Sequence, residues 1–222
     1  MISLLEGYIQ DSLPASGYFN TPDSLKEKVD QCGRIVPYHG NTTVFLLEEE
    51  TRNRVHELQK ELYRAVPEML AEQLKPDTLH MTLHSLAEGV PGTPGLEEWK
   101  EYTCHCAREY LEKWRGEAPL RMRGTWTFNM CHTSVVLGLA PADEDSWRRL
   151  HEMYDCLERV RFLGYDMVPH ITLAYFKPGS YDQSQVSRLR DVLRAVNLET
   201  QMNMNSLVIQ NFWDMNRYET VR

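Results

Sequence analysis

An α+β fold of two related lobes is what this sequence predicts: bilobal, with two antiparallel-rich sheets and outer helices related by pseudo-twofold symmetry around a central cleft. Three observations predict it. The order strand, helix, strand occurs twice, over residues 41–86 and 131–176. Each copy closes in an apolar strand that carries a histidine and a threonine two residues apart, in "LHMTL" and "PHITLAYF". One offset of 90 (170 minus 80) connects His80 with His170, Thr82 with Thr172 and Thr43 with Thr133. Recurrence of one order at one register is the mark of a duplicated unit.

Taken along the chain, "NTTVFLLE" (41–48) reads as a buried strand from its β-branched and apolar run. Val55, Leu58, Leu62, Val66 and Met69 then recur at helical intervals. In "LHMTL" the alternation of a strand puts His80 and Thr82 on one face and Leu79, Met81 and Leu83 on the other. A helix over about 96–115, with Trp99, Thr103, Cys106, Tyr110 and Trp114 on one stripe, stops before Gly116. "LRMRGTWTFN" opens the second lobe, and Trp126 and Phe128 share a face there, as core or as an aromatic wall. "HTSVVLGLA" is the next strand; Asp143 caps a helix carrying Trp147, Leu150, Tyr154, Leu157 and Val160. In "PHITLAYF" the parity that joins His170 and Thr172 extends to Ala174 and Phe176 and sends Tyr175 inward. A last helix with Val186, Leu189, Leu193 and Val196 on one stripe and a strand in "NSLVIQNFWDM" complete the pattern.

At 222 residues and 42% hydrophobic content the chain reads as one domain over 1–222 with a substantial core. Its lobes lie at about 33–95 and 117–222, and 96–116 connects them. The formal net charge of −8 argues against a broad grip on a nucleic-acid backbone, so no extended duplex partner is expected. Five cysteines, an odd number, and a start without a basic region and long apolar run read as reduced thiols in a cytoplasmic protein. No apolar stretch nears the roughly 20 residues that span a bilayer. "CHC" at 104–106 falls within a helix, where residues two apart face different directions and are poorly placed to share a metal ion. His80 and His84 would chelate a metal on a helix but stand about 13 Å apart on a strand.

Two histidines suit a reaction that removes a proton from an attacking oxygen while delivering another to a leaving oxygen, since an imidazole does either near neutral pH. Two threonine hydroxyls beside them can donate to the non-bridging oxygens of a phosphate as charge builds there.

With "HMTL" at 80–83 and "HITL" at 170–173 inside equivalent lobes, the sequence resembles the 2H phosphoesterase superfamily, from about Gly33 to the end of the chain. The resemblance implies a metal-independent phosphodiesterase without cofactors, with His80, Thr82, His170 and Thr172 as its catalytic residues. The implied substrate is a 2′,3′-cyclic, 2′,5′-linked or related small nucleotide phosphodiester, or an RNA terminus. Tyr38, Asn41 and Thr43, in a segment similar to one branch of the superfamily, and Phe176 and Lys177 are candidate substrate-binding residues; Gly40 and Asn41 equally suit a simple turn. Which histidine is the base, whether ligation occurs, the substrate and the oligomeric state stay open. A module that binds a nucleotide or RNA end in the same cleft without turnover is the alternative.

Overall fold

The computed structural model describes residues 13–14 and 17–221. Eight strands form one antiparallel sheet. They are β2 (His39–Leu46), β3 (His80–Gly89), β4 (Leu120–Met130), β5 (Ser134–Pro141), β6 (His170–Tyr175), β8 (Ala195–Met202), β9 (Leu207–Asp214) and β10 (Arg217–Thr220). Their order is β10-β9-β2-β3-β6-β5-β4-β8. A short ribbon pairs β1 (Phe19–Asn20) with β7 (Ser180–Tyr181). Two four-stranded halves meet in the middle, where β3 and β6 share the single register pair Met81↔Ile171. The halves are not consecutive in sequence: β9 crosses back to pair with β2, so residues 207–220 complete the first half rather than the second lobe to which the sequence pattern assigned them.

Four α-helices are found among the described residues: α1 (Glu49–Ala65), α2 (Leu96–Trp114), α3 (Glu144–Glu158) and α4 (Gln183–Val192). All four give apolar side chains to one core. Val55 and Leu62 come from α1, Ala107 from α2, Leu150 and Leu157 from α3, and Val186 and Leu189 from α4, and they pack with Met81, Leu137 and Ile171 of the sheet. Burial of this face holds the helices to one side.

Helix ends follow local chemistry. The Asp143 carboxylate accepts from the Ser146 amide at 2.8 Å, as expected of an N-cap. Gly116 follows α2 with φ 79°, a left-handed value that glycine adopts at little cost. Helix α1 stops short of Met69, because Val66 precedes Pro67 and is pushed out of helical conformation. Helix α4 starts from a capping box built on Asp182 and Gln185 but also ends early; Leu193 is extended and Val196 belongs to β8, paired with β4. The strand expected from His132 begins at Ser134, since Cys131 and His132 form a turn with φ of 51° and 58°.

Candidate active site

Because Met81 and Ile171 stand opposite each other, their flanking residues share the other face of the sheet. His80 lies across from Thr172, and Thr82 across from His170. In an ideal ladder the two histidines are then diagonal neighbours, about 7–8 Å apart. All four line one cleft of about 260 Å³, together with Lys28, Thr42, Thr78, Ser85, Glu88 and the aromatic rings of Tyr165, Tyr175, Phe212 and Tyr218. A second cavity of about 300 Å³, lined by residues such as Leu58, Leu173 and Arg194, holds none of the four.

A bulge follows each motif. In β3, Val44 pairs with Thr82 and Thr43 with His84, leaving Leu83 as the extra residue. In β6, Val136 pairs with Thr172 and Val135 with Ala174, leaving Leu173. Each bulge reverses the side-chain alternation beyond it. Ser85 and Tyr175 consequently enter the cleft, whereas Phe176 turns into the core, fully buried against Phe19 and Tyr181. Phe176, a candidate substrate-binding residue on sequence grounds, therefore does not line the cleft. The register also places Val44 and Val136 in equivalent positions, an offset of 92 (136 minus 44), so the match of Thr43 with Thr133 is fortuitous.

The carbonyls that the bulges release are met by buried donors. The His84 carbonyl accepts from Thr42 Oγ1 at 3.0 Å and Thr43 Oγ1 at 3.1 Å. The Leu173 carbonyl accepts from Gln59 Nε2 at 2.9 Å. Thr43 is therefore a fully buried structural residue and not part of the cleft. So is Asn41, whose amide donates to the Lys100 carbonyl and accepts from the Ala87 amide, joining α2 to the sheet. Tyr38 stacks on Phe212 behind the cleft wall, and the Lys177 stem lies near Gly33; neither lines the cleft. His84 is buried and bonds Glu158 at 3.0 Å. Trp126 and Phe128 pack with Val136, which pairs with Thr172 on the cleft face, but neither ring lines the cleft.

His170 Nδ1 lies 2.7 Å from the Val168 carbonyl, which can only accept, so Nδ1 carries the proton and Nε2 has the free lone pair. The Thr78 carbonyl, also two residues upstream of its histidine, raises the His80 pKa, but His80 Nδ1 meets no hydrogen-bond partner among the described residues. The ring of Tyr218 meets that of His80 edge-on at 5.0 Å. Burial lowers the pKa of both imidazoles. His80 falls to about 4, opposed by the Thr78 carbonyl and helped by the proximity of His170. His170 is lowered by burial against the opposing effect of the Val168 carbonyl. Among the described residues, no three histidine, cysteine or carboxylate side chains converge as a metal-ligand set.

Neither a family model nor a curated protein sequence matches the chain. Solved structures do. A conserved protein of unknown function, Atu0111 of Agrobacterium tumefaciens, is 18% identical, with 91% of this chain and 92% of that chain covered at a TM-score of 0.62. This chain has the Atu0111 fold. TT0787 of Thermus thermophilus aligns at 18% identity over 82% of this chain and 95% of that one, with a TM-score of 0.49. Escherichia coli LigT complexed with NADP+ aligns at 16% identity over 84% and 96%, also at 0.49. No helix among the described residues is long and apolar enough to cross a membrane.

Sequence reasoning missed Lys28, Ser85, Glu88, Tyr165, Tyr175 and Tyr218 as cleft residues. Ser85 and Tyr175 carried a signal, since they obey the offset of 90 (175 minus 85) that links the histidines. Lys28 and Tyr218 come from segments outside the repeat, and nothing in their local sequence marks them.

Proposed function

We propose that this chain is a 2H phosphoesterase that hydrolyses 2′,3′-cyclic, 2′,5′-linked or related small nucleotide phosphodiesters by paired histidine acid–base catalysis. One observation carries the reading: two His-x-Thr strands meet at Met81↔Ile171, and their four polar side chains line one cleft. Spaced diagonally, the two imidazoles suit opposite sides of a single phosphorus.

For a cyclic substrate, His80 Nε2 takes a proton from water as the water oxygen attacks phosphorus. The bond from phosphorus to one ribose oxygen breaks, and protonated His170 Nε2 gives its proton to that oxygen. A phosphomonoester results, and solvent returns the proton from His80 to His170. Thr82 and Thr172 donate to the non-bridging oxygens, where charge grows in the transition state. We assign the base role to His80 because the neighbouring imidazole adds to burial in lowering its pKa, whereas His170 is lowered by burial alone. Negative charge on bound substrate raises both rings and supports the proton on His170.

The test is turnover of 2′,3′-cyclic nucleotides in the presence of a chelator by wild type, His80→Ala and His170→Ala. Loss of at least about a hundredfold in kcat for each variant supports the reading. Wild-type inactivity on cyclic, 2′,5′-linked and ADP-ribose-type phosphodiesters alike overturns it in favour of a binding module.

A further inference from the structure

Among the residues lining the cleft, Lys28 is the only lysine or arginine, and it comes from the segment before β2, outside the repeated units. Its ammonium sits 4.7 Å over the Tyr38 ring and 3.9 Å from Glu88 Oε2, beyond hydrogen-bond range. The other oxygen of that carboxylate is already engaged. Glu88 Oε1 accepts from Arg161 Nη1 at 3.2 Å and Ser85 Oγ at 3.1 Å, and Arg161 also donates to Ser85 at 3.0 Å. Glu88 thus lies between two cations, Lys28 and Arg161, and the cluster carries one net positive charge. The Lys28 ammonium makes no hydrogen bond with the described residues, so beside its ion pair with Glu88 its three donors remain open to an anion in the cleft.

Positive charge of this kind is not needed at the scissile phosphate, which the two threonines and the protonated histidine already address. We infer that Lys28 is a second anion-binding point, and that the preferred substrate is a nucleotide phosphodiester carrying an additional phosphomonoester group. This inference rests on the phosphodiesterase reading of the cleft. The Tyr38 ring under the ammonium and the Glu88–Arg161–Ser85 cluster beside it hold Lys28 in place, so the lysine is placed before the ligand arrives.

Calorimetric titration with adenosine 3′-monophosphate and adenosine 3′,5′-bisphosphate tests the inference on wild type, Lys28→Met and Lys28→Arg. Methionine keeps an aliphatic stem on Tyr38, and Lys28→Gln is the second neutral variant should Lys28→Met fold poorly. Wild type is expected to prefer the bisphosphate by about ten- to a hundredfold, the worth of one charge-assisted contact. That ratio falls close to one in the neutral variants and persists in Lys28→Arg. Equal binding of the two ligands by wild type, or a ratio that survives loss of the charge, overturns the role of Lys28. Cyclic-nucleotide turnover by the same preparations is scored separately. Turnover without a bisphosphate preference removes Lys28 and keeps the hydrolase; a charge-dependent preference without turnover keeps the anion site and removes the hydrolase.

Discussion

Gln59 of α1 is fully buried and makes four hydrogen bonds, and replacing it with leucine tests how the histidine strand is held. Its Nε2 donates to the Leu173 carbonyl at 2.9 Å and to the Leu74 carbonyl at 3.1 Å. Its Oε1 lies 2.8 Å from Gln73 Nε2 and 3.0 Å from His56 Nδ1. Leu173 is the bulge residue next to Thr172, and Leu74 lines the cleft, so one amide holds two cleft-forming segments. Leucine matches the volume but supplies no donor. Each carbonyl left unmet inside the protein costs about 1–3 kcal/mol, giving roughly 2–6 kcal/mol for the two at Leu173 and Leu74. The partners on the Oε1 side reach water more easily and add less. For a chain of this size that loss lowers Tm by about 5–15 °C. Urea unfolding measures the free energy, and kcat for a 2′,3′-cyclic nucleotide measures the site, where a displaced Thr172 lowers kcat more than KM. A loss below about 1 kcal/mol would refute the claim that Gln59 sustains the bulge.

Three further outcomes are expected. Thr82→Val and Thr172→Val each lower kcat by about ten- to a thousandfold with Tm nearly unchanged, as removal of a donor to a developing oxyanion does; single-turnover kinetics beside thermal unfolding checks both. Because His80 is held near 4 when folded and near 6.5 when unfolded, protons bind the unfolded chain first as pH falls, and stability present above 6.5 is lost down to about 4. That loss is about 3 kcal/mol. Urea unfolding at pH 7 and pH 4.5 shows a smaller difference for His80→Asn than for wild type if this is right. Phe176→Ala costs about 3–5 kcal/mol of stability through the cavity it leaves, whereas Phe176→Leu folds and shows an unchanged KM, because the ring touches Phe19 and Tyr181 rather than substrate.

The four central residues were legible because a strand alternates with period two, and His80/Thr82 and His170/Thr172 fall on one side of their bulges. Beyond Leu83 and Leu173 the same rule fails. No glycine or other permissive residue marks either bulge, and the cause lies in neighbouring elements that satisfy the released carbonyls: Thr42 and Thr43 in one half, Gln59 in the other. Parity alone therefore put Phe176 in the cleft and Tyr175 in the core, the reverse of the structure. The pairing of β9 with β2 joins residues far apart in sequence and leaves no local trace. Helix caps at Asp143 and Gly116 were readable, since the chemistry that ends a helix lies within a few residues of its end. Lys28 and Tyr218 reach the cleft through tertiary packing of segments that carry no motif.

The pH dependence of kcat/KM for a 2′,3′-cyclic nucleotide, measured with chelator present on wild type, His80→Ala and His170→Ala, tests the paired-histidine account most directly. The account predicts a bell-shaped wild-type profile, loss of the acidic limb in the residual activity of His80→Ala, and loss of the alkaline limb in His170→Ala. A wild-type profile with one limb, or a variant that keeps both limbs at wild-type rate, would contradict it.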